Sequence, residues 1–292
     1  MTLTDQIRER AAWVAGRARH VRIDESAIAD YARELPAVSP PAPDLEGADD
    51  EQRAAFSLQL NAINFGSGWF PTLVKPPGLS GFRTVEKGLR EHGPWALEDL
   101  PRVTAAEIAA ALGQDPEHPL MALFARSLRE LGERIGGSFA AFARSGGLED
   151  LATELSTWPT WYDVSPYDGV AIPLFKRAQI AAADLALQGL ADGRDLHRLT
   201  LFADNLVPHV LRLDGVLHFD DALVARIEAE ELIEHDSPEE VEIRAVALHA
   251  VELLVAAHGR TTAAAVDNAL WNRGAGARYK ARPRHRSRTT AY

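Results

Sequence analysis

The sequence has no cysteine, which excludes disulfides, a thiol nucleophile and thiolate metal ligands. It has no run approaching the roughly 20 apolar residues that a membrane helix needs. Its opening, Met1-Thr-Leu-Thr-Asp-Gln-Ile-Arg-Glu-Arg10, lacks the apolar core of a secretory signal. A cytoplasmic protein without membrane contact is therefore expected. Positive charge is in deficit, with a net charge of −11, which speaks against a surface built for duplex nucleic acid. Also missing are a Gly-rich phosphate loop, a Gly-x-Ser-x-Gly nucleophile elbow and any zinc-ligand spacing. The expectation is chemistry that needs neither metal nor cofactor.

What is present is a chain of 292 residues, 46% hydrophobic and 25% charged, long enough to bury a substantial core. Alternating segments are too short to build a sheet, apart from a fragment near Gly215–Phe219, and no internal repeat occurs. Helical patterning dominates. Residues 5–20, 24–35, 50–64, 119–135 and 147–157 read as helices, the second opening on Asp24 as N-cap. Thr104-Ala-Ala-Glu107 is a capping box, with Gly113 closing its helix. Pro173 suits the first turn of a helix through Leu187. Ser237-Pro-Glu-Glu240 combines a capping box with a first-turn proline, and Gly259 ends that helix. From Ala245 to Ala257 it is apolar except for His249 and Glu252, so it should cross the core with those two as a hydrogen-bonded pair. A last helix covers 262–272. Ser39-Pro-Pro-Ala-Pro43 marks a turn or linker. The reading is mainly α, one domain over 1–292.

Residues 273–292 form a basic tail with seven Lys or Arg and no acid, leaving the first 272 residues at −18. A local phosphate is a better partner for such a tail than a polymer. Arg282, Arg284, Arg286 and Arg288 alternate and would share one face if extended; a solvated, disordered tail is the expectation for most of them, with one or two, alongside His285 or Tyr279, reaching a site.

The candidate for chemistry is Asp204. Between Leu199 and Val207 six neighbours are apolar, and burying a carboxylate is costly unless it is hydrogen-bonded, paired or used. Asn205-Leu-Val-Pro-His-Val-Leu-Arg212 begins a helix, so an N-cap also accounts for Asp204. Lys176 and Arg177 open an otherwise apolar helix, where cations oppose the helix dipole unless an anion sits nearby; two solvated charges are the alternative. Trp69, on a Gly-rich segment, and Phe202 can stack on a flat ligand or anchor a core.

Five segments together resemble the queuosine salvage proteins, the queuosine 5′-phosphate N-glycosidase family. They are Leu60-Asn-Ala-Ile-Asn-Phe65, Phe175-Lys-Arg-Ala-Gln179, Leu199-Thr-Leu-Phe-Ala-Asp204 with Val207-Pro208, Glu240-Val-Glu-Ile-Arg-Ala245, and Asp267-Asn-Ala-Leu-Trp271. Arg282-Pro-Arg-His-Arg-Ser-Arg-Thr289 resembles the tail of some members. The resemblance implies an all-helical fold similar to helix-hairpin-helix DNA glycosylases, and hydrolysis of queuosine 5′-phosphate to release queuine for tRNA modification. It implies Asp204 as the catalytic carboxylate, either nucleophile or stabiliser of a ribosyl cation. Asp267 would meet the guanine-like edge of the base, with Asn268 and Asn272 as further base contacts, and Lys176, Arg177, Arg284 and His285 would meet the phosphate. Where many members carry Tyr after this Asp and Asp after Leu-Trp, this chain has Asn268 and Asn272. An amide keeps an acceptor but loses the charge. The competing readings are a DNA glycosylase and a helical module that binds a nucleotide or base without chemistry.

Overall fold

The computed structural model describes residues 1–37, 45 and 47–292; the Ser39–Pro43 turn lies outside them. They are mainly helical, and no helix among them is long and apolar enough to cross a membrane. The chain divides into two compact units. The first comprises Met1–Pro41, Asp163–Lys176 and Asp195–Arg288, the second Ala42–Tyr162, Arg177–Arg194 and Thr289–Tyr292.

The first unit contains α1 (Leu3–Ala15), β1 (Val21–Ile23), α2 (Glu25–Arg33), and the hairpin β2 (Val164–Tyr167) and β3 (Val170–Pro173). The second unit holds α3 (Asp50–Ala62), α4 (Gly81–His92), α5 (Ala105–Leu112), α6 (Pro119–Arg134), α7 (Phe139–Ala143) and α8 (Leu148–Ser156). All of α9 (Lys176–Leu187) but its first residue also belongs there. The first unit continues with α10 (Val207–Leu213), β4 (Leu217–Phe219), α11 (Asp221–Glu228), α12 (Pro238–His258), α13 (Ala263–Arg273) and α14 (Ala277–Lys280).

In the second unit α3 packs on α4, α6 and α7, and α5 on α4 and α6. Thr104 and Glu107 form the expected capping box, and Gly113 closes α5 in the left-handed region. Glu51 on α3 accepts the first amides of α7, from Phe139 at 2.9 Å and Ala140 at 2.8 Å.

In the first unit α12 is the central member, packed against α1, α2, α10, α13 and β1. Val241, Ile243 and every residue from Ala245 to Leu248 are buried, as are Val251 and Leu254. Glu242 is also inside. Its Oε2 accepts from the amides of Arg19, His20 and Val21 at 3.0, 2.6 and 3.0 Å, and its Oε1 from the Tyr167 hydroxyl at 2.7 Å. One carboxylate thus fastens β1 and the hairpin to α12.

Four expectations change. Pro173 ends β3 rather than opening a helix, because Asp168 and Gly169 both take positive φ (45° and 77°) and turn the chain back as a hairpin. Asp-Gly is a strong hairpin signal that four-residue strands carrying a proline each do not reinforce. His249 and Glu252 are not a pair; Glu252 meets Arg8 Nε at 2.9 Å. Ser237 caps α12, but the reciprocal half of the box is missing, since the Glu240 carboxylate turns inward and takes the Asp236 amide at 3.2 Å.

The tail is the fourth. Rather than disordered, it pairs with the segment after α11: Leu232 and Arg286 form a parallel bridge, Ile233 N–H donates to the Arg286 carbonyl at 2.9 Å, and Ser287 Oγ to the Ile233 carbonyl at 2.7 Å. The four arginines do not share one face. Arg282 and Arg286 meet Glu228 and Glu230 respectively, Arg288 is exposed, and Arg284 is turned inward.

Candidate active site

The site grows from the segment before α10. Leu199, Leu201, Phe202 and Ala203 are buried, and Asp204 is half-buried at their end. Asp204 Oδ1 accepts from the amides of Leu206 (2.8 Å) and Val207 (3.1 Å), two donors a helix start otherwise leaves unsatisfied. Both amides fall on one oxygen. Oδ2 makes no hydrogen bond with the described residues, so capping orients the carboxylate and leaves one oxygen available.

Asp267 lies on α13, buried. Close approach sets its helix against α10: a Cβ on Gly274, at the end of α13, would stand 2.7 Å from a methyl of Leu206. Burial and the negative charge of Asp204 push the Asp267 carboxyl well above the usual carboxylate range, with Lys176 and the Phe202 amide acting in the opposite sense. Two acids sharing a site cannot both ionise cheaply. The more buried of the two, Asp267, bears that cost.

The sign gives a prediction. A folded-state value raised above the unfolded one contributes stability at acid pH that is lost as pH rises through the folded value. Asp267→Asn removes this loss, so its melting temperature should fall less than the parent's between mildly acid and mildly alkaline pH. Parallel melting curves for the two proteins would refute the assignment.

Lys176 is buried at the start of α9, and its amide donates to Asp163 Oδ2 at 3.0 Å. Phe175, just before it, has φ +48°. A bulky side chain in the left-handed region costs on the order of 1–3 kcal/mol and persists only where its surroundings enforce it. Asp163 does so from both sides, since its carbonyl accepts from Leu174 N–H at 3.0 Å. Arg284 is half-buried. Burial lowers its pKa, and the charge of Asp204 raises it in compensation. His285 is buried beside it. Burial, then Arg244 and Arg284, push its imidazole down to about 3, so it is neutral at physiological pH and supplies no cation. Its carbonyl anchors Asn205 Nδ2 at 2.9 Å.

The structure thus brings Asp204, Asp267, Lys176, Phe202 and Arg284 into one electrostatic neighbourhood, with His285 alongside. The other candidates have partners of their own. Asn272 is exposed and donates to the Asn268 carbonyl (2.9 Å) and side chain (3.1 Å). The Tyr279 hydroxyl is held by Asp214 at 2.8 Å. Arg177 and Trp69 belong to the second unit. The Arg177 guanidinium donates to the carbonyls of Ala62 (2.7 Å) and Thr160, with the rings of Phe65 and Trp161 at 4.8 and 5.0 Å. Trp69 is half-buried, its carbonyl accepting from Thr72 Oγ1 at 2.7 Å.

A further group was not singled out from the sequence. Arg244 on α12 is fully buried and grips Asp163 with both terminal nitrogens, at 2.9 and 2.7 Å, while its Nε donates to the Ala203 carbonyl at 3.0 Å. Glu240 lies 3.5 Å from the same guanidinium. The signal was three charges at alternate positions, Glu240, Glu242 and Arg244, ahead of an apolar run. His235, Asp236 and Glu240 each place a ligand-capable atom within 4.8 Å of the others. The adjacent Arg244 guanidinium opposes a cation there, and the two carboxylates hold the His235 imidazole above its usual value against the effect of burial.

Comparison with known proteins places residues 83–292 on the model of a family described as queuosine salvage protein. A queuosine 5′-phosphate N-glycosylase/hydrolase from Sphaerobacter thermophilus is 34% identical, covering 96% of this chain and 95% of its own. The protein of the same description from Dictyostelium discoideum is 29% identical, over 98% of each chain. That from Mus musculus is 34% identical over 47% of this chain and 44% of its own.

Proposed function

The chain belongs to the queuosine salvage protein family, and from that membership we propose that it hydrolyses the N-glycosidic bond of queuosine 5′-phosphate and releases queuine in the cytoplasm. The observation that carries the reading is the convergence of Asp204, Asp267, Lys176 and Arg284 around one carboxylate with an uncommitted oxygen.

Breaking the bond leaves positive charge on the ribosyl carbon and negative charge on the base. Water then adds its oxygen to that carbon, and the base takes up a proton. Queuine is a 7-deazaguanine, so the ring carbon that replaces N7 accepts no proton. The enzyme must work on the sugar and on the remaining polar edge of the base. Asp204 Oδ2 serves the ribosyl carbon, either by electrostatic stabilisation or by attack. Asp267, its carboxyl pushed upward by burial and by Asp204, meets the guanine-like edge of the base. Phe202, buried two residues before Asp204, offers its ring to the base. Lys176 and Arg284 take the 5′-phosphate, which replaces by contact the charge balance they give the acids in its absence. A role for Asn268, Asn272, Arg177, His285 and Trp69 in binding remains part of the proposal, supported by the resemblance. So does a helix-hairpin-helix glycosylase plan, supported by the helical content. The negative body charge supports a nucleotide rather than a duplex as substrate.

Incubating the protein with queuosine 5′-phosphate and following free queuine by chromatography tests this directly; ligand-induced stabilisation without release would instead indicate a binding module. In the same assay Arg284→Gln should raise KM for the nucleotide at least about tenfold, the scale of one lost charge-assisted contact, and leave that for the nucleoside nearly unchanged. Equal effects on both substrates would remove Arg284 from the phosphate.

A further inference from the structure

We infer that Arg244 and Asp163 are positioning residues that set the catalytic segment: Arg244 fixes Asp204 through the Ala203 carbonyl, and Asp163 fixes Lys176 through its amide. The two side chains form a fully buried bidentate pair, at 2.9 and 2.7 Å. Such a pair is weak evidence for stability, because apolar residues of the same volume commonly do as well. What an apolar pair cannot do is spend its remaining valences. Arg244 Nε reaches the Ala203 carbonyl at 3.0 Å, one residue before Asp204, and Asp163 Oδ2 reaches the Lys176 amide at 3.0 Å.

Ala203 sits in a segment without regular structure, so no helix or strand ladder holds its carbonyl in place. On the other side, Asp163 brackets Phe175, whose left-handed backbone aims Lys176. The planar guanidinium fork joins the Ala203 carbonyl to Asp163, and a lysine ammonium cannot reproduce its geometry. Glu240, 3.5 Å away, adds a second acid that holds the guanidinium on α12. A carboxylate and an ammonium acting on one small ligand must be placed to within a fraction of an ångström, and misplacement by about 1 Å can cost about a hundredfold in rate.

The rate consequence rests on the glycosidase reading; the positioning itself does not. Two measurements therefore go together, on Arg244→Lys and on Arg244→Met combined with Asp163→Leu, the second serving if the first does not fold. Turnover per folded molecule should fall about a hundredfold in both variants, with KM changed less than about threefold in Arg244→Lys and raised further in the double variant, where the Lys176 amide loses Asp163. Amide exchange at Leu206 and Val207, the two groups that Asp204 holds, should accelerate about tenfold relative to other α10 amides. A lower melting temperature with turnover and those two exchange rates unchanged would show the pair to be merely structural and overturn the inference. If the parent protein releases no queuine, the glycosidase reading fails and the exchange rates alone decide: faster exchange sustains the positioning, unchanged exchange overturns it.

Discussion

Asp204→Asn should bind queuosine 5′-phosphate as the parent does and hydrolyse it about a thousandfold more slowly or worse, the order that one preorganised electrostatic group contributes to a transition state. The substitution is diagnostic because of how the two carboxylate oxygens are divided. Oδ1 caps α10 through the amides of Leu206 and Val207, and an asparagine oxygen can keep both bonds. What is removed is the charge, with Oδ2 replaced by an NH2 donor. Asp204→Ala loses the cap as well, which costs about 1 kcal/mol, so the pair of variants separates chemistry from helix capping. Isothermal titration for binding and single-turnover release for chemistry are the measurements. Hydrolysis within tenfold of the parent by the Asn variant would remove Asp204 from the reaction and leave it as a cap.

A second large effect is expected far from the reacting atoms. Glu242→Ala should destabilise the first unit by about 2 kcal/mol or more, since it orphans the buried Val21 amide at about 1–3 kcal/mol and takes the acceptor from two part-buried amides and from the Tyr167 hydroxyl, which keeps only the Arg17 carbonyl at 3.4 Å. Three backbone amides and the Tyr167 hydroxyl converge on this one side chain. Glu242→Gln should recover part of the loss, because it keeps two acceptor lone pairs but brings an NH2 group into a nest of donors. Denaturant midpoints measure this, provided the slope of the transition is unchanged. A loss below about 1 kcal/mol for the Ala variant, the usual range of a surface substitution, would mean that water reaches these amides and that Glu242 is not the fastening point.

The sequence made helices legible where local chemistry and periodicity agree, as at the Thr104 capping box, the Asp24 cap and the apolar length of α12. It misled where the partner is distant. Glu240 reads locally as half of a capping box, yet its carboxylate is drawn inward toward Asp236, His235 and Arg244. The tail reads as solvated because its composition is basic. Its order comes from backbone pairing with Leu232 and Ile233, and composition carries no trace of that. Asp204 and Asp267 were both named, but that they share one electrostatic site depends on the approach of α13 to α10 at Gly274, which is a matter of packing. The role of Arg244 is not legible locally, because its partners Asp163 and Ala203 lie 81 and 41 positions away.

The fastening of β1 to α12 has a kinetic consequence. Val21 and Glu242 are 221 positions apart, and the first unit is drawn from three separated stretches of chain. The loop-closure entropy must be met before the contact returns anything, and topologies dominated by such pairings fold slowly. Until α12 arrives, the amides of residues 19–21 have no carboxylate, and β1 waits in the same way for the distant β4. The helices of the second unit, built largely from the continuous run 42–162, face no such delay. Refolding from denaturant should therefore show two phases, and Glu242→Ala should leave the fast one unaltered.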